Sequence, residues 1–162
     1  MSMVKEVTIA DVVKHVMDVM EAEREKINLV IRRYESGNVL RDIILGDWKV
    51  IGAYPCITVE PSTDTPRWGA TNYVQSPIYN VTITCYIKNI AKPVTVSYII
   101  EFAETVKSIL IHPSNLRFET DNGVVYDSFV TNVSYNVNED HSIRNAKLNF
   151  QAVAWVSDIG IT

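Results

Sequence analysis

Asn80-Val-Thr-Ile-Thr-Cys-Tyr-Ile-Lys-Asn-Ile90 alternates apolar and polar side chains over the length of a full strand. Val81, Ile83, Cys85 and Ile87 share one face, while Thr82, Thr84, Tyr86 and Lys88 share the other. A period of two marks a β-strand with one face turned to a core. The second face carries Thr and Tyr, so it is only half polar. This strand makes a sheet the frame against which the rest of the chain is read.

Upstream lies a polar, proline-bounded stretch, Pro61-Ser-Thr-Asp-Thr-Pro66 followed by Arg67-Trp68-Gly69-Ala-Thr-Asn-Tyr73-Val-Gln-Ser-Pro77. It predicts a loop at about residues 60–78, of a length that in a compact domain marks a functional or a disordered segment. Cys56–Val59 and Lys49–Ala53 are strand candidates around Tyr54-Pro55, where proline points to a sheet edge or a bend. Val39–Leu45 fits either a strand or a short helical turn, and Gly46-Asp47 breaks it. Residues 8–36 read as one long amphipathic helix: Ile9, Val12, Val13, Val16, Met20, Ile27, Val30, Ile31 and Tyr34 recur at helical spacing. Thr8 is its N-cap, with Asp11 placed for a capping box, and Gly37-Asn38 ends it. Glu21–Lys26 reads as a solvated charged face and His15 as a surface histidine.

Downstream, Pro93 opens a second helix over about 94–112, with Val94, Tyr98, Phe102, Val106, Ile109 and Leu110 along one side. His112-Pro113 ends it. The remainder is β: Leu116–Thr120 and Val124–Asp127 flank Asp121-Asn122-Gly123, a strong hairpin signal. Phe129–Val137 and Ala146–Val156 follow as alternating strands. The expected fold is therefore α+β: a mostly antiparallel sheet with a long N-terminal helix and a second helix packed on it. Residues 1–162 are expected to form one domain, interrupted only by the 60–78 loop.

The bulk numbers bound the function. The chain has 162 residues, a formal net charge of −4 and 47% hydrophobic residues, ordinary values for a globular protein. Its pI of 5.3 argues against a general nucleic-acid binder. No apolar run approaches the roughly 18 residues of a membrane span. Lys5, Glu6, Asp11 and Lys14 interrupt any signal-peptide core, so the expected compartment is the cytoplasm, with no membrane association. Cys56 and Cys85 lie in strand-like runs and read as reduced, buried thiols. Asn80-Val-Thr82 and Asn132-Val-Ser134 fit the glycosylation pattern but carry no meaning without secretion.

Catalytic chemistry is not evident. Phosphate-binding glycine loops, the H-E-x-x-H pair and the G-x-S-x-G elbow do not occur. His15, His112 and His141 are scattered, and Asp42, Asp47, Glu60 and Asp64 read as solvated loop acids. No catalytic, cofactor-binding or metal-binding residue is assigned, and the chain is expected not to be an enzyme. Two features point to assembly instead. Arg67, Trp68 and Tyr73 in the long loop are residue types enriched at interface hot spots; the competing reading folds this loop back, with Trp68 plugging the chain's own core. Val153, Trp155 and Val156 make the last strand apolar on both faces, as coverage by a neighbouring subunit would require; the competing reading covers it with the chain's own helix.

The opening helix 8–36, the run Tyr54-Pro55-Cys56-Ile57-Thr58-Val59 leading to an extended loop, the strand Tyr79–Lys88, the helix 94–112 and the terminal β-run together resemble the tail terminator (tail completion) proteins of tailed bacteriophages. The outline covers nearly the whole chain. The resemblance implies a homohexameric ring at the head-proximal end of the tail tube, which stops tube growth and joins it to the neck. The implied partners are further copies of the chain, the tail tube protein and a neck or connector protein. The implied location is the virion, after assembly in the host cytoplasm. Six copies would carry six times the −4 of one chain, so DNA would pass the lumen without specific binding. The alternatives are another neck or head-completion joint, or a small non-viral ligand-binding α+β domain with a cleft between sheet and helix.

Overall fold

The computed structural model describes residues 7–46, 52–65, 77–88, 94–137 and 142–155. Three helices, α1 (Ile9–Ala22), α2 (Arg24–Tyr34) and α3 (Val94–Leu110), accompany six strands: β1 (Asp42–Leu45), β2 (Cys56–Thr65), β3 (Ile78–Lys88), β4 (Phe118–Thr120), β5 (Gly123–Val137) and β6 (Ile143–Trp155). The strands form one sheet in the order β1-β2-β3-β6-β5-β4.

The alternation in β3 is realised. Val81, Ile83, Cys85 and Ile87 are buried, and they stand opposite Phe150, Leu148, Ala146 and Arg144 of β6. On β2, Ile57 and Val59 extend the same face. The helices cover this side: α1 lies on β2 and β3, α3 lies on β3, β5 and β6, and α2 rests on α3. Helix α3 buries Tyr98, Phe102, Val106, Ile109 and Leu110 as the spacing predicts, but Val94 is exposed and Thr95 is buried in its place. The opposite sheet face is also closed around Cys56, Thr58, Thr84 and Tyr86. Both cysteines are free and buried. Burial, then the nearby Asp42 carboxylate, pushes the Cys56 thiol up to about 12, and burial also raises Cys85. Neither thiol is ionised near neutrality.

The expected fold class needs correction in two respects. The sheet is mixed, because β1 runs parallel to β2 in the register Asp42 to Cys56 through Leu45 to Val59. The expected long helix over 8–36 is two helices, of 14 and 11 residues. The chain turns at Glu23, where φ is −106° and ψ is 19°. Glu23 and its neighbours are good helix formers, so propensity does not cause the break. Its cause is packing. Val12, Val16 and Met20 are buried on α1, and Ile27 and Ile31 on α2, but the charged run between Met20 and Ile27 offers no large apolar anchor to hold one straight axis. Two side chains tie the start of α2 to Leu40, beyond its C-terminus. Arg24 Nη1 donates to the Leu40 carbonyl at 2.9 Å, and Asn28 Oδ1 accepts from the Leu40 amide at 2.8 Å.

The predicted cap is present. Thr8 Oγ1 accepts from the Asp11 amide at 3.3 Å, and Asp11 Oδ2 accepts from the Thr8 amide at 2.8 Å, which satisfies two donors that a helix start leaves open. Beyond α2, Tyr98 Oη donates to Glu35 Oε2 at 2.5 Å, and the Tyr34 ring stacks on Tyr98 with centroids 4.9 Å apart. These contacts pin the end of α2 to α3. The Asp121-Asn122 turn joins β4 to β5, with Thr120 opposite Gly123. Gly123, at φ 151°, takes a conformation that a side chain would oppose. The strands expected at Val124–Asp127 and Phe129–Val137 are one strand, β5, with register shifts between Val125 and Asp127 and between Val130 and Asn132.

His15 is half-buried rather than a surface residue. Its ring lies parallel to Phe118 with centroids 3.5 Å apart, and Nε2 sits 3.3 Å from the Asn115 carbonyl oxygen. Burial lowers its pKa below the usual 6.5, against the opposing pull of the Asn115 carbonyl and Asp18. The neutral ring is thus favoured in the folded state. Stability is complete above about pH 6.5 and falls as pH drops from there toward the lowered folded value. Thermal melting at pH 7.5 and pH 5 should show a larger loss at pH 5 for the wild type than for His15→Gln. Equal losses would remove His15 from the pH response.

Candidate assembly surface

β2 continues to Thr65, which pairs with Ile78. The ladder therefore takes in residues 60–65 of the segment predicted as loop. Residues 66–76, including Arg67, Trp68 and Tyr73, lie outside the described residues. Val153 is half-buried on β6, between Ile78 of β3 and Asp127 of β5. The backbone of Trp155 pairs with Val124, and its side chain lies outside the described residues. Among the described residues, the two β6 members of the predicted surface, Val153 and Trp155, stand two positions apart on one strand.

Sheet order exposes a feature whose position at an edge the sequence did not signal. β4 covers β5 only from Gly123 to Val125. From Asp127 to Val137, the side of β5 away from β6 has no partner strand among the described residues. This is a long edge, and unpaired strand N–H and C=O groups are a template for another strand. Natural edges are commonly blunted by lysine or proline. Asp127-Ser-Phe-Val-Thr-Asn-Val-Ser-Tyr-Asn-Val137 contains neither, and its one charge is Asp127. Phe129, Tyr135 and Val137 are exposed along it. The sequence signal was available as a run free of lysine and proline; its position at an edge was not.

At the other end of the sheet, β1 pairs only with β2 among the described residues. Leu45 at its end is 59% exposed. An apolar groove of about 400 Å³ runs beside it, lined by Ile9, Val13 and Met17 of α1 together with Leu45 and Pro61. Lys14 and Asp18 stand at its rim and pair with each other at 3.4 Å. Among the described residues, no group of three or more His, Cys, Asp or Glu is placed to hold a metal ion, and no helix is long and apolar enough to cross a membrane.

No protein-family model matches the chain, and no curated protein matches it. Among solved structures, the fold is similar to a chain in the virion of a native gene transfer agent particle. The TM-score is 0.54 at 10% identity, and the match covers 93% of this chain and 99% of the other.

Proposed function

We propose that the protein is a structural component of a phage-like virion, acting as a tail terminator. It would form a ring at the head-proximal end of the tail tube, stop tube growth and join the tube to the neck. The observation that carries this reading is the match to a virion chain over nearly the full length of both chains. An insertion or an extra domain in either protein would have lowered one of the two coverages. The long β5 edge, unpaired among the described residues, supports it, since a ring is made by repeating one contact between two different surfaces of the same subunit. In this reading the chain performs no catalysis, and its partners are further copies of itself, the tube protein and a neck protein.

The test is deletion of the coding sequence from the producing genome, followed by electron microscopy of the particles. Tails of irregular length without attached heads are expected. Gold-labelled antibody against the tagged protein should mark the tube end nearest the head in complete particles. Normal tails joined to heads in the deletion strain would overturn the reading, and label elsewhere on the particle would reassign the protein to another joint.

A further inference from the structure

We infer that copies of the chain join head to tail through their sheet edges. The part of β5 without a partner strand among the described residues lies, in one copy, antiparallel to β1 of the next, with Val133 level with Leu45 and Tyr135 level with Ile43. The inference rests on the ring reading above and specifies its seam.

Strand polarity comes first. β1 is parallel to β2, and β2, β3, β6 and β5 alternate in direction. β5 therefore runs opposite to β1. Rotation about an axis roughly along the strands leaves strand directions unchanged, so β5 of one copy meets β1 of the next as an antiparallel pair, the more stable ladder. The two edges are also stepped in opposite senses. β1 covers only the Cys56–Val59 end of β2. Across the sheet, the rows through Cys56, Tyr86 and Asn145 end at Asn136 of β5, within its uncovered part. The protruding strand on one edge thus lies at the same height as the recess on the other.

Side chains make the pairing specific. Val133 and Tyr135 stand opposite Leu148 and Ala146 of β6, which are buried under the helices. Tyr135 and Val137 thus project on the helix side of the sheet. They are nonetheless 44% and 37% exposed, because they lie toward the end of the helical cover. On β1, Ile43 is buried in the core, and Leu45, two residues on, projects to the same side. The groove between Leu45, Pro61 and α1 lies on this same side, level with Val133 and Val130 of the neighbouring β5, while Tyr135 comes level with Ile43. A two-fold pairing of β5 with β5 would satisfy the same backbone groups. It would leave Leu45 and the groove open, and for that reason the head-to-tail seam is favoured.

The test uses the full chain. Wild type, Tyr135→Lys, Val137→Lys and, as a control on a distant exposed position, Leu29→Lys are compared by native mass spectrometry and sedimentation. Circular dichroism and melting verify that each variant is folded. The wild type and Leu29→Lys are expected to form closed oligomers, and both β5 variants to be folded monomers. In parallel, Leu45→Cys and Val133→Cys, which the seam sets level with each other, are combined in one chain and oxidised; the native Cys56 and Cys85 are buried. A ladder ending at a covalent closed ring supports the seam. Efficient dimers of the single Val133→Cys variant would show β5–β5 pairing and overturn it. Folded β5 variants that still assemble would overturn the seam and leave the ring reading standing. A wild type that stays monomeric at all concentrations and beside tail tubes would overturn the ring and the seam together.

Discussion

Phe150→Ala should lower the unfolding free energy by about 3–5 kcal/mol, the usual cost of truncating a buried aromatic ring. Phe150 lies on β6 between Val81 of β3 and Val130 of β5, and it is among the largest fully buried side chains. β6 is an interior strand, paired along most of its length on both sides, so its backbone cannot shift easily to fill the space. The loss therefore includes both the transfer energy of the ring and the residual cavity. Urea titration should show a lower midpoint with an unchanged slope, and melting should fall by about 6–20 °C for a domain of this size. A loss below about 1 kcal/mol would mean that the core collapses around the vacancy and is not rigid at its centre.

Asn28→Ala should cost about 1–3 kcal/mol, the penalty for a buried donor left without a partner. Asn28 is 6% exposed, and its Oδ1 accepts from the Leu40 amide, while Leu40 itself is fully buried. The truncated side chain leaves that amide in an apolar setting where water has no ready access. Asn28→Asp keeps an oxygen in place but faces the carboxylate of Glu25, to which Asn28 Nδ2 now donates at 3.4 Å. The aspartate variant should therefore rescue only part of the loss at pH 7, and more of it at a pH where one carboxyl is protonated. Urea unfolding of the three proteins at two pH values measures this. Equal stability of wild type and Asn28→Ala would show that the Leu40 amide finds another partner, and that α2 is not held by this bond.

What could be read in advance were the features that depend on neighbours in the chain. The Thr8 cap needs only Asp11, three residues away. The faces of β3 and most of the buried face of α3 follow from periods of two and of about 3.6. The Asp121-Asn122-Gly123 turn is a matter of local backbone preference. His15 misled because its sequence neighbours are charged, whereas its packing partner, Phe118, lies about a hundred positions away. Pro61-Ser-Thr-Asp has the composition of a loop, yet the antiparallel partner Ile78–Val81 holds it as a strand. The candidate surface divides in the same way. Arg67, Trp68 and Tyr73 were chosen by residue type. Tyr135, Val137 and Leu45 acquire meaning only from the order of strands in the sheet.

Taken alone, the order of residues determined that this protein would have a sheet with one strongly apolar face, helices spaced to cover it, unreactive buried cysteines and a hairpin near its C-terminal third. Each of these follows from side-chain spacing or from short-range backbone chemistry. Tertiary structure alone decided that the first helix divides at Glu23, that β1 lies parallel to β2, and that much of β5 has no partner strand among the described residues, at the sheet edge opposite β1 and its apolar groove. Those outcomes depend on free energies of contact between segments distant in the chain. Burial against α3 outweighs the helix propensity of Glu23, and strand order follows from which ladders best close the core. No local pattern encodes either balance.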